Sequence, residues 1–151
     1  MTNNLGDIFV KIILAAILSI VMGFERGLRH KGADLRTHIL VGVGSALITL
    51  TSIYLFDIYK DKAAAIDPSR MIAGIVQGIG FLCAGTIIRA GSHVTGLTTA
   101  ATLWIVSGVG IAVGVGQFDA AILVAVVVSL VLVCVRPLEQ KLDEKFKNLG
   151  G

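Results

Sequence analysis

The sequence predicts an all-α protein: a polytopic transmembrane helical bundle of five spans, with its N-terminus outside and its C-terminus in the cytoplasm. Three observations carry this expectation. Of 151 residues, 55% are hydrophobic and 15% are charged, against roughly 25% charged in an ordinary soluble domain. The mean hydropathy is +0.87. The apolar residues also gather into five runs close to the ~20 residues needed to cross a bilayer core of about 30 Å.

The first run extends from Leu5 to Phe24, with Lys11 near its start. No positive n-region or A-x-A site accompanies it, so it reads as a retained span rather than a cleaved signal peptide. The second runs from Ile39 to Phe56 and the third from Met71 to Ile88. The fourth, Leu97 to Phe118, and the fifth, Ala120 to Val135, are nearly continuous. Gly116, Gln117 and Asp119 predict a tight helical hairpin between them. Residues 1–136 are therefore expected to form the membrane domain, and 137–151 a short cytoplasmic tail. In that tail Leu138, Leu142, Phe146 and Leu149 mark one apolar stripe, as in a helix lying on the inner leaflet.

Orientation follows from Lys and Arg in the loops. With five spans, nine of the 13 fall on the side of the 25–38 loop, the 89–96 loop and the tail, which predicts that this side is cytoplasmic. The net charge of +3 thus speaks to orientation. Composition excludes a disordered chain, a disulfide scaffold and a nucleic-acid-binding domain. Cys83 and Cys134 lie in separate apolar runs with no metal or redox spacing, and read as small buried hydrophobes.

Small residues recur four apart at Gly42/Ala46, Gly74/Gly78, Gly80/Ala84, Gly110/Gly114 and Ala121/Ala125/Ser129. In lipid, helices associate through close packing rather than a hydrophobic force. Gly74, Gly78, Gly80, Gly85, Gly110 and Gly114 are therefore expected to pack helices. The third and fourth spans should form the tight centre, with the fifth facing lipid. The same small faces suit a homo-oligomer, with a dimer favoured.

Charges in or beside a span need a partner or a purpose. Glu25 and Arg26 end the first span, Arg36 and Thr37 precede the second, Arg89 closes the third, and Thr98 and Thr99 open the fourth. All seven are expected on the cytoplasmic side, either as one functional polar cluster or with the arginines as snorkelling anchors. On the outer side, Asp67-Pro68-Ser69-Arg70 reads as an N-cap and first turn for the third span. Asp67 and Arg70 are also candidates for contact with a hard cation such as Mg²⁺. Gln77 is a strongly polar side chain well inside the third span, either an interhelical hydrogen-bonding group or part of a pathway. Cys83, Thr86 and Trp104 are the other intramembrane candidates. His30, His38 and His93 have no ligand spacing to one another, and no metal site or cofactor is assigned beyond possible Mg²⁺. No nucleophile–base pair, phosphate loop or paired carboxylates occur, so no enzyme is expected.

The stretch DPSRMIAGIVQGIGFLCAGTIIRAGSHVTGLTTAATLW (67–104) closely resembles the bacterial MgtC/SapB membrane-protein family. So do Gly23-Phe24-Glu25-Arg26-Gly27-Leu28 and Leu35-Arg36-Thr37-His38, and the resemblance covers about residues 10–135. It implies a five-span protein of the bacterial inner membrane, linked to low-magnesium adaptation and, in some members, to virulence. It further implies a regulator that contacts another membrane complex, for example the F-type ATP synthase. The alternative is a small Mg²⁺ or other cation channel. Its motif positions are Glu25, Arg26, Arg36, Thr37, Asp67, Arg70, Gly78, Gly80, Gly85, Arg89, Gly96, Thr98, Thr99 and Trp104. Longer members carry a soluble domain after the fifth span, and the chain is expected to be a short form without it.

Overall fold

The computed structural model describes residues 4–28, 35–61, 67–91 and 93–149, with side chains described outside 25–28, 136 and 138–149. Five helices follow in order: α1 (Leu5–Leu28), α2 (Leu35–Tyr59), α3 (Pro68–Thr86), α4 (Leu97–Val115) and α5 (Phe118–Leu149). Between α3 and α4 lies a two-stranded antiparallel hairpin, β1 (Ile88–Ala90) with β2 (His93–Thr95). The sequence reading treated that segment as a plain loop. Three-residue strands carry too little alternation to register as a pattern, which is why the hairpin was not foreseen. Among the described residues, four helices are long and apolar enough to cross a membrane: α1 over Leu5–Phe24, α2, α4, and α5 over Phe118–Val135. The 19-residue α3, interrupted by Arg70, Gln77 and four glycines, is not among them.

The helix ends follow local chemistry. Asp67 caps α3, its carboxylate accepting from the Ser69 N–H at 2.9 Å, and Pro68 occupies the first turn. At the other end of α4, Gly116 adopts φ +98, and its N–H donates to the Ala112 and Val113 carbonyls. The Gln117 N–H donates to Ala112 as well, at 2.8 Å. This left-handed glycine cap turns the chain directly into α5 and makes the hairpin that the glycines foretold. Along α5 the helix continues without interruption through Pro137. Its 32 residues span about 48 Å, longer than a hydrocarbon core.

The core is a seam between α1, α2 and α4. Helix α1 contributes Ala15, Leu18, Ser19 and Met22, one stripe of a 3.6-residue period. Helix α2 contributes His38, Val41, Gly42, Ser45, Ala46 and Thr49 on a single face. Helix α4 is central, buried from Thr99 to Gly114 along one half of its circumference, with Ala101, Trp104 and Gly108 exposed on the other. Among the described residues of α5, Ala121 and Ala125 are fully buried and Phe118 and Val128 pack partly against the core, while Ile122, Leu123, Val126, Val127, Leu130 and Val131 stand exposed. Side chains this apolar on the outside suit hydrocarbon as the solvent.

Glycine positions show where backbones meet. A Cβ at Gly110 would strike the Gly42 carbonyl and lie 2.9 Å from Ser45 Cβ; one at Gly114 would lie 2.7 Å from Thr49 Cβ; one at Gly42 would strike the Ser19 hydroxyl. At Gly74, Gly78, Gly80 and Gly85 a Cβ would meet nothing within 4 Å. The tight centre expected between α3 and α4 is therefore formed by α2 and α4. Spacing of small residues reveals a close-packing face but not its partner, and the α3 glycines face away from the bundle.

Candidate functional site

The buried polar groups form a file along the seam rather than a cluster at one mouth. Among the described residues these are Ser19, His38, Ser45, Thr49, Ser52, Thr99, Thr102 and Ser107. Most hydroxyls donate to a carbonyl of their own helix: Ser19 to Ala15 at 2.7 Å, Thr49 to Ser45 at 2.8 Å, Thr102 to Thr99 at 2.9 Å and Ser107 to Trp104 at 2.7 Å. A hydroxyl satisfied this way is small and self-sufficient, so it can sit where two backbones nearly touch. Ser52 instead donates across to the Pro68 carbonyl at 2.9 Å, tying the far half of α2 to the start of α3.

His38 stands at the other end of the file. It is fully buried, and its Nε2 lies 3.3 Å from the Thr102 hydroxyl oxygen. The Thr102 hydroxyl also lies 2.9 Å from the Thr99 carbonyl, so it bridges the ring of α2 and the backbone of α4. Gly23 makes room for the ring, because a Cβ there would lie 2.9 Å from His38 Cβ. The sequence had set His38 at the inner start of the second span without a role. Its signal was its place in the α2 face, at i, i+3, i+4 and i+7 with Val41, Gly42 and Ser45.

The structure distributes the expected cytoplasmic cluster. Thr99 is buried, Thr37 is half-buried at the edge of α2, and Arg36 and Thr98 are exposed. Arg89 lies on the exposed hairpin, where its Nε donates to the Gly91 carbonyl at 3.3 Å. The side chains of Glu25 and Arg26 lie outside the described residues. Of the intramembrane candidates, Cys83 is buried and its thiol donates to the Ala100 carbonyl at 3.1 Å. Thr86 donates back to the Cys83 carbonyl at 2.8 Å. Trp104 is exposed beside an apolar hollow of about 390 Å³ between α4 and α5, and Gln77 is exposed on α3. Gly96 was noted only as a motif position. It has φ +88, and a Cβ there would strike the Thr86 carbonyl, so the return from the hairpin into α4 requires glycine.

At the opposite end, Asp67 and Arg70 are exposed. The Ser69 hydroxyl and then the Ser69 N–H hold the Asp67 carboxyl below its ordinary range, with a smaller contribution from Arg70. These are the contacts of a helix cap. Lys11, the charge inside the first span, is paired with Asp7 at 3.0 Å one turn away. Among the described residues no three His, Cys, Asp or Glu side chains come together as a metal site.

The MgtC family model matches residues 12–141. The chain belongs to the MgtC family. Among curated proteins, this MgtC-family chain is 40% identical over 145 residues to "Putative magnesium transporter YhiD" of Escherichia coli K12, covering 95% of the chain and 67% of that protein. It is 36% identical over 135 residues to protein MgtC of Salmonella typhimurium strain 14028s, covering 89% of the chain and 55% of MgtC. An uncharacterised Haemophilus influenzae protein is 40% identical over 138 residues, covering 89% of the chain and 57% of its own length. The chain thus spans between about half and two thirds of these relatives. No solved structure matches it. Family membership and the apolar helices together support a membrane protein.

Proposed function

We propose that the chain is a regulator in the bacterial inner membrane that acts by contacting another membrane complex, with the F-type ATP synthase as the first candidate. The observation that carries this reading is the closure of the seam. Gly42, Gly110 and Gly114 bring α1, α2 and α4 together until a single added methyl group would collide. Most hydroxyls along that seam, Ser19, Thr49, Thr102 and Ser107, are turned onto their own backbones. A conduit for a hydrated cation needs polar groups lining an open path through the whole membrane depth, and a seam packed this closely does not favour one through the bundle centre. The second reading, a cation transporter, is favoured by the name of the Escherichia coli relative.

In this reading α3 is the fifth crossing. Ser52 binds Pro68 at one end of α3 and Cys83 binds Ala100 at the other, so α3 runs alongside α2 and α4 for its full length. Five crossings put the N-terminus outside and the C-terminus in the cytoplasm, where the Lys- and Arg-rich segments lie.

The test is Mg²⁺ and monovalent-cation flux in proteoliposomes of folded protein, with Glu25→Gln and Asp67→Asn alongside. The regulator reading expects no selective flux, together with slowed ATP-driven proton pumping in inverted vesicles that contain the chain. Selective flux that either substitution reduces would overturn it in favour of transport.

A further inference from the structure

Between α2 and α3 the bundle has an opening that the α1–α2–α4 seam does not use. The two helices diverge there around an apolar groove of about 650 Å³. Gly44 of α2 with Gly74 and Gly78 of α3 floor it, and a Cβ at any of the three would meet nothing within 4 Å. Ile48 and Leu82 are among its walls and are exposed on the outer surface of the bundle. Entry is therefore from the surrounding solvent, which beside a spanning helix is hydrocarbon. In size and lining the groove resembles a small-molecule site, mostly apolar with a few placed polar groups.

The polar group that matters is Ser45. It lines the groove and is only 4% exposed. The hydroxyls of Ser19, Thr49, Thr102 and Ser107 each bond a carbonyl of their own helix. The Ser45 hydroxyl makes no hydrogen bond among the described residues, and Thr49 uses only the Ser45 carbonyl. Ser45 cannot retreat toward α4, because a Cβ on Gly110 would already lie 2.9 Å from its own Cβ. Its depth follows from α2, a helix long and apolar enough to span a membrane. Ser45 is ten residues beyond the start of α2 at Leu35. That is about 15 Å along the axis, the middle of a core about 30 Å thick. No water is present at that level to pair a hydroxyl.

These features narrow the occupant. It must bring a hydrogen-bond acceptor to mid-membrane while carrying no charge. The ester carbonyls of a phospholipid stay at headgroup level, so an acyl chain would fill the groove and leave Ser45 unpaired. A floor of three glycines also offers a flat surface on which a planar ring can lie. We propose that the α2–α3 groove binds an isoprenoid quinone. The uncharged ring lies over Gly44, Gly74 and Gly78, one ring carbonyl accepts from the Ser45 hydroxyl, and the apolar tail leaves between the helices into the bilayer. The proposal concerns binding and includes no electron transfer. It does not depend on whether the protein regulates or transports.

The experiment is binding of decylubiquinone to the full chain in lipid nanodiscs, with an azido derivative as photolabel. Labelling is expected to saturate, to fall within residues 37–48 and 71–82, and to be displaced by decylubiquinone. Decylbenzene, which has the tail without a carbonyl, should displace it poorly. Ser45→Ala should weaken binding about fivefold, as for loss of one hydrogen bond. Gly78→Leu fills the groove and should abolish binding while leaving thermal unfolding unchanged, because space is open at that position. Gly108→Leu, at an open position on α4 outside the groove, should bind like the parent. Absence of saturable binding, or labelling outside the two segments, would overturn the proposal. So would parental affinity in Ser45→Ala. Equal displacement by decylbenzene would assign the groove to bulk lipid. Labelling blocked in native membranes by a cross-linked second protein would assign it to a partner helix. Either result would also overturn the proposal.

Discussion

At Gly110 the backbone of α4 rests on the Gly42 carbonyl of α2, and there is no space for a methyl group. Gly108, two residues earlier on the same helix, has open space where its Cβ would be. Gly110→Ala should therefore destabilise the bundle by about 1–3 kcal/mol through overpacking. Gly108→Ala should be neutral or slightly stabilising, since alanine is the better helix former. Thermal unfolding in mild detergent separates the two, and equal effects would deny that α2 and α4 form the tight contact. His38 offers a second test at this scale. A double-mutant cycle of His38→Leu with Thr102→Val should return a coupling of about 1 kcal/mol, the usual net worth of a buried hydrogen bond. Additive losses would mean that the 3.3 Å contact contributes nothing.

The ends of α3 set how that helix is held. Asp67 is a carboxylate whose folded-state pKa lies below its ordinary value of 3.8, chiefly through the Ser69 hydrogen bonds. Its capping contribution is complete above the unfolded pKa and is lost as pH falls through the lowered folded one. Between pH 5 and 8 the melting temperature should show no change from this group, and the decline should appear only on the acid side of about pH 4. Asp67→Asn, which keeps a capping amide, should flatten that decline. A wild-type profile retained in the variant would assign the acid sensitivity elsewhere. At the other end, the hairpin of β1 and β2 returns the chain through Gly96 in a left-handed conformation against the Thr86 carbonyl. Gly96→Ala combines a backbone cost of about 1–2 kcal/mol with that collision. The amount of folded protein recovered from membranes should fall severalfold, whereas Gly85→Ala, with open space, should be recovered like the parent.

Across the whole molecule the bilayer takes the place of water as solvent for the outer surface. The outer faces of α1 and α5 are lined with exposed Ile, Leu, Val and Phe, while the interior holds Ser, Thr and His. No hydrophobic force gathers such a bundle, so its stability rests on packing and on buried hydrogen bonds. Trp104 is the single tryptophan and is half exposed on α4. Lipids brominated along the acyl chain should quench most of its fluorescence in vesicles. Emission that is unquenched and red-shifted, as for a ring in water, would mean that this face of α4 does not meet hydrocarbon.

The helices themselves were legible in the sequence because each is written locally. Runs of apolar residues, the Asp67-Pro68 start of α3 and the glycine turn at Gly116 need no distant partner to be read. The inward Ala121 and Ala125 of α5 were legible for the same reason, as was the exposure of the apolar residues between them. The MgtC-family motifs of residues 67–104 were also legible, being long and ordered. What required the tertiary structure was pairing. A glycine every fourth residue looks the same whether its face meets α2, as at Gly110 and Gly114, or opens outward, as at Gly74 and Gly78. Likewise His38 and Gln77 are both polar residues on apolar helices. Only the crossing of α1, α2 and α4 buries the first against Thr102 and leaves the second facing out. Local composition encodes which segments become helices, because backbone hydrogen bonds in lipid are satisfied within each segment. Which faces meet depends on shape between segments distant in the chain, and only the assembled bundle decides that.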